Sequence, residues 1–290
     1  MPGYTLSDGV TLKNKFGANN VDELAQFETE AVRRRLMEIE LGVVPSGQFD
    51  AVYLKTIHRH LFQDVYEWAG HTRDERFALS DGTVATEPIM RKVEGQPFVT
   101  GQAIPTALEE VATRLRESEY LRGFRRTVFA KQAADIMVSL NAIHPFREGN
   151  GRTQRTFMRE LAKNAGHALD FSIVSSERMT QASISAHGQG DPSMMRRMFD
   201  EISDPERSLL LRKSIAALEM LNFNWNDRYI ATLTPGYAVE LVLAGIAGDQ
   251  FMGRTQTDIL FGRSADLPVP HPKSGETVTI MPTPYSQSNE

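Results

Sequence analysis

Two stretches of helical apolar spacing, residues 127–143 and 157–165, are interrupted by HPFREGNGRTQR at 144–155, and that interruption constrains the fold more than any other feature. Phe129, Ala133, Ile136, Met137 and Leu140 share one face before it, and Phe157, Met158, Leu161 and Ala165 share one after it. Proline disfavours helical backbone in the residue before it, so Pro145 turns the chain at His144. The interruption is therefore a loop joining two buried helices.

The loop's side chains form a chemical set. Phe146 is its one large apolar residue and would anchor it in the core. Gly149-Asn150-Gly151 allows positive φ at two or three successive positions, so that backbone N–H groups converge on one anion ahead of a helix N-terminus. Arg152 and Arg155 stand three apart on that helix's first turn, which suits a di- or triphosphate. Glu148 beside phosphates calls for a bridging Mg²⁺. His144 is the one side chain of the loop that takes a proton near neutral pH, the role of a general base. A lone Gly-Asn-Gly reads as an ordinary turn, with His144 capping a helix and the arginines paired to acids such as Glu160. The whole set at this spacing reads as nucleotide, metal and base.

This stretch resembles the Fic (filamentation induced by cAMP) motif His-Pro-Phe-x-(Asp/Glu)-Gly-Asn-Gly-Arg-x-x-Arg at every specified position. VYEWAGHTRDE at 65–75, a segment at 77–103 and a strand-rich part after 222 extend the likeness to the Fic modules of Bartonella type IV secreted effectors. The resemblance implies a protein adenylyltransferase. AMP would pass from ATP, with Mg²⁺, to a Ser, Thr or Tyr hydroxyl of a host protein, releasing pyrophosphate. His144 would be the base, Phe146 the anchor and Glu148 the Mg²⁺ ligand. Gly149, Asn150 and Gly151 would line the phosphates, with Arg152 and Arg155 on the β- and γ-phosphates. Rival readings are transfer of UMP, phosphocholine or phosphate by the same fold, or a catalytically silent nucleotide-binding docking module.

The resemblance also implies partners and place. Residues 77–103 hold Asp-Gly, Glu-Gly and Thr-Gly pairs and suit a hairpin flap, which would take the target by strand addition. Small GTPases are the host class the family implies. Such proteins are made in the bacterial cytoplasm and carried into the host cytoplasm by type IV secretion. Many are silenced by a helix bearing Ser/Thr-x-x-x-Glu-Gly/Asn, whose glutamate pairs with the second motif arginine, here Arg155. Thr83 to Glu87 is followed by Pro88, Thr106 to Glu110 by Val111, Thr113 to Glu117 by Ser118 and Thr156 to Glu160 by Leu161; Ser286 to Glu290 ends the sequence. None completes the pattern, so an inhibitor, if used, is a separate antitoxin-like protein.

The expected architecture is mainly α, with seven or eight helices. Residues 1–221 form the Fic domain with its N-terminal extension and flap, 222–267 a small OB-like strand-rich domain and 268–290 a proline-rich linker or tail. Helices are expected at 19–41 with Asn20 and Glu23 as a capping box, at 48–68, at 105–120 with Pro105 in the first turn, at 176–186, at 191–201, and at 203–221 with Ser203 and Glu206 as a second box.

Charge and composition narrow the rest. With 32 basic against 37 acidic residues, net charge −5, no global field draws the chain to nucleic acid. The sequence has no cysteine, which excludes disulfides and thiolate metal sites. Neither a Sec signal nor a membrane span is visible. His58 and His60, two apart on a helix, cannot share a metal and read as surface or packing residues, while Tyr66 and Trp68 read as core. Arg122, Arg125 and Arg126 read as a solvated helix start.

Overall fold

The computed structural model describes residues 3–43, 45–91 and 97–285. It is mainly helical, with eight α-helices among the described residues: α1 Val21–Glu40, α2 Ala51–Phe62, α3 Ala103–Glu117, α4 Arg126–Ile143, α5 Asn150–Asn164, α6 Ser176–Gly188, α7 Ser193–Ile202 and α8 Pro205–Met220. Two compact units are formed, one from residues 1–122 and 139–165, the other from 123–138 and 166–290.

In the first unit the local chemistry of the helix ends is visible. The Asn20 side chain accepts from Glu23 N–H at 2.9 Å and the Glu23 carboxylate accepts from Asn19 N–H at 3.1 Å, so the expected capping box forms with its return bond one residue earlier. α2 is shorter than its apolar spacing implies. Asp50 caps it at the start, accepting from Tyr53 N–H at 2.8 Å, and beyond Phe62 the chain runs in turns to Gly70 at φ +90. Val65, Tyr66 and Trp68 continue the periodic pattern and are buried as expected of a core, but without helical backbone. α3 holds Pro105 in its first turn, where its missing N–H costs nothing, and ends before a left-handed turn through Tyr120 and Leu121.

Residues 77–103 form two hairpins. β1 (Phe77–Ala78) pairs antiparallel with β2 (Val84–Ala85) around the Asp81-Gly82 turn. A second, from Glu87 to Val99, is joined by the Arg91–Pro97 bridge and the Phe98 N–H to Met90 carbonyl bond of 3.1 Å. Residues 92–96 lie outside the described residues, as do residues 286–290 with the Ser286 to Glu290 match.

In the second unit α8 is capped by Asp204, whose carboxylate accepts from Glu206 N–H at 3.0 Å and Arg207 N–H at 3.1 Å, and not by Ser203. Pro205 at the first helical position moves the cap to the residue beside it. Arg126 is not simply solvated: it pairs with Asp200 at 2.9 Å and Asp204 at 3.4 Å. Beside that pair lies a buried network. Glu201, fully buried, bonds Arg178 and accepts from Thr232 N–H at 2.9 Å, and Arg207 donates to the Thr232 hydroxyl at 2.9 Å.

Strands β3 (Tyr229–Thr232), β4 (Val239–Ala247), β5 (Gln250–Arg254), β6 (Asp258–Arg263) and β7 (Thr277–Ile280) form one sheet in the order β3-β6-β5-β4-β7. The first four lie within the strand-rich part expected at 222–267. Leu241, Leu243, Phe251, Leu260 and Ile280 build its apolar core. The pairing departs from a simple meander, because β3 lies parallel to β6. It also corrects the reading of 268–290 as an unpacked tail: β7 pairs antiparallel with β4, and Ile280 and Tyr285 are buried. Five strands with one parallel pair are compatible with an OB-like module, but barrel closure is not among the pairings.

Candidate active site

α4 ends at Ile143 and α5 begins at Asn150, which leaves the motif loop between two helix ends of the first unit. The His144 N–H makes the last helical bond, to the Leu140 carbonyl at 3.0 Å. Its own backbone turns sharply, with φ +46, a left-handed conformation that costs a residue with a Cβ roughly 1–3 kcal/mol. The imidazole stacks on Phe98 of the second hairpin, centroids 4.0 Å apart at 10°.

Phe146 is fully buried and stacked on His58 at 3.9 Å and 13°. The Asn150 side chain closes the loop. Its side-chain amide accepts from Phe146 N–H at 2.9 Å and donates to the Phe146 carbonyl at 2.7 Å, closing the loop on itself. Its backbone N–H remains part of the α5 terminus.

Gly149 sits at φ +81, and a Cβ there would meet the Phe62 ring at 2.3 Å. Asn150 and Gly151 are helical, so the expected run of positive φ reduces to Gly149 alone. The N-terminal turn of α5 has no side-chain cap, and uncapped N–H groups of this kind suit an anion. A Cβ at Gly151 would lie 3.2 Å from an Arg155 guanidinium nitrogen.

The two arginines differ. Arg152 is engaged by Glu28 of α1 at 2.5 Å and by Glu148 at 3.2 Å, and it lies over the Phe62 ring, 4.7 Å from its centroid. The Tyr66 hydroxyl donates to the same Glu28 carboxylate. Arg155, part-buried, has no ion pair or side-chain hydrogen bond among the described residues. Burial and the neighbouring Arg152 charge lower its pKa. Glu148 keeps its side chain 43% exposed. Arg147, which the motif leaves unspecified, pairs with Glu87 at 2.6 Å.

His58 has a role that spacing could not reveal. Its Nδ1 accepts from Gly70 N–H at 2.8 Å, so Nε2 carries the proton and donates to the Glu148 carbonyl at 3.1 Å. Burial pushes its pKa down to about 3, which keeps the ring neutral. A histidine depressed from 6.5 leaves the folded state binding fewer protons than the unfolded one in between. Its contribution is therefore complete above about pH 6.5 and lost as the pH falls toward about 3. In urea unfolding of the wild type and His58→Gln, the wild-type advantage should shrink steadily on acidification from pH 7.5. A constant gap would remove His58 from the titration.

The geometry can be set beside known proteins. Residues 48–162 match the model of the Fic/DOC family. The solved chain of "Type IV secretion system effector protein BepA" is 32% identical, with TM-score 0.89 over 98% of this chain and 97% of that one. The chain belongs to the Fic/DOC family. A "Protein adenylyltransferase" of Bartonella henselae is 34% identical over 91% of this Fic/DOC chain, which spans only 49% of that relative's length. The crystal structure of BepC protein from Bartonella tribocorum, a VirB-translocated effector, holds AMPPNP; it is 39% identical, with TM-score 0.67 over 70% of this chain and 96% of that one. No helix among the described residues is long and apolar enough to cross a membrane.

Proposed function

We propose that the chain transfers AMP from ATP to a hydroxyl side chain of a protein target and releases pyrophosphate. The observation that carries this is Arg155, a part-buried cation with no counter-ion among the described residues, beside the uncapped first turn of α5 and in the same motif as His144. Such a terminus and a guanidinium fork recognise phosphate oxygens. The relatives named as adenylyltransferase or holding AMPPNP support the nucleotide.

In this reading the target hydroxyl attacks the α-phosphorus as His144 takes its proton, and the bond to pyrophosphate breaks in line. Arg155 stabilises the leaving phosphates, joined by Arg152 once it exchanges Glu28 for phosphate oxygens. Gly151 lets the backbone approach. The half-exposed Glu148 carboxylate fits a Mg²⁺ held by one carboxylate, water and phosphates, and Mg²⁺ would neutralise charge on the nucleotide. The target would add a strand to the second hairpin. A host small GTPase, delivery by type IV secretion and a separate inhibitor supplying a glutamate to Arg155 belong to the same proposal, as does a protein-contact role for an OB-like module from 222.

Labelling decides it. With Mg²⁺ and a cell lysate, ATP labelled at the α-phosphorus should mark a protein covalently, and ATP labelled at the γ-phosphorus should not. Label from the γ-position would instead mean phosphate transfer, and no label from either would reject the reading.

A further inference from the structure

Arg73 is fully buried and has no carboxylate partner among the described residues. The acceptors of its side-chain hydrogen bonds are all backbone carbonyls. Nε donates to His144 O at 2.9 Å, one terminal nitrogen to Glu87 O at 3.2 Å and Pro88 O at 2.8 Å, and the other to Ile143 O at 3.3 Å and to Val99 O. The guanidinium has five N–H donors in a planar fork, and here there are five acceptors. They come from three places: one leg of the second hairpin at 87–88, its other leg at 99, and the end of α4 carrying His144.

The backbone closes the same knot. Arg73 N–H donates to Pro145 O at 2.8 Å, Glu87 N–H to Arg73 O at 2.7 Å, and Val99 N–H to Ala142 O at 3.1 Å. Phe98, next to Val99, is the ring stacked on His144. The hairpin that would take a target strand and the imidazole that would take the target's proton are thus pinned to one side chain.

We infer that Arg73 is a positioning residue: its fork holds both hairpin legs against the His144 carbonyl, so that hairpin and base keep one mutual geometry. This rests on the proposed transfer reaction for its consequence, but the geometry can be read without it. A lysine, with one compact ammonium, cannot span five carbonyls in a plane.

The test uses Arg73→Lys, with Arg73→Gln as the uncharged alternative should a buried ammonium prevent folding. His144 ring-proton resonances, assigned by their loss in His144→Ala, lie upfield in wild type because Phe98 stacks on the ring. In a folded Arg73 variant they should move toward unstacked positions, without ATP or target present. Calorimetric affinity for ATP should hold, while kcat for labelling falls on the order of 100-fold, the cost of a misplacement near 1 Å. Unmoved His144 resonances, ATP affinity lost in parallel with activity, or failure of both variants to fold would each overturn the inference. The last two would make Arg73 a residue of the fold alone. If wild type labels no protein, the transfer reading fails and the resonances still decide the positioning.

Discussion

Gly149→Ala should cost the chain its nucleotide affinity and a measurable part of its stability. Two effects add at this position. At φ +81 a Cβ lies in a backbone region that costs an L-residue about 1–2 kcal/mol. The same Cβ would lie 2.3 Å from Phe62 Cζ and 2.4 Å from Cε2, and overpacking of this kind costs a further ~1–3 kcal/mol. Phe62 cannot yield easily, since it is fully buried, stacks with His58 at 4.8 Å and lies beneath the Arg152 guanidinium. The strain should be relieved by rotating the loop, which turns the first N–H groups of α5 away from the phosphates. Calorimetry with ATP should show binding reduced beyond detection, with a lowered Tm. A double-mutant cycle separates the two effects: Phe62→Leu should restore part of what Gly149→Ala removes, because it makes room without changing φ. Wild-type affinity in Gly149→Ala alone would refute the close packing of loop on α2.

How much of this was legible in the sequence depends on the range of the interaction. The helix–loop–helix joint could be read because Pro145, the glycines and the apolar spacing act within a few residues. The burial of Phe146 followed from its being the loop's one large apolar side chain. Its partner did not: His58 reaches the Glu148 carbonyl across 90 positions, and Arg73 reaches the His144 carbonyl across 71. Neither has a local pattern. The 65–75 stretch matched the family as a whole, yet nothing in its spacing distinguished Arg73 from its neighbours.

Other departures have equally specific causes. α2 was read too long because Val65, Tyr66 and Trp68 are buried at helical spacing in turns, and burial is what periodicity reports. Arg152 and Arg155 do follow each other on one helix turn, but only the fold shows that Glu28 of α1 engages the first, while the second has no acid partner among the described residues. β7 escaped because a four-residue strand with one fully buried side chain, set among prolines and polar residues, has almost no pattern of its own. Its pairing is supplied by β4.

His144→Ala should leave nucleotide affinity near wild type and lower the rate of labelling by about 10²–10⁴-fold, the usual contribution of a positioned general base. The affinity should hold because the groups proposed to take the phosphates belong to α5, whereas the imidazole stacks on Phe98 and its backbone closes the end of α4. Alanine also removes the Phe98 stacking partner and keeps the unfavourable φ of +46, so a rate loss in this variant alone mixes chemistry with backbone strain. His144→Asn separates them. Asparagine enters the left-handed region more readily than most residues and cannot accept a proton near neutral pH. Both variants should therefore be slow to a similar degree, with Tm affected less in His144→Asn. An asparagine variant that labels protein at the wild-type rate would mean that another group, or solvent, takes the hydroxyl proton and that His144 matters for the turn it makes.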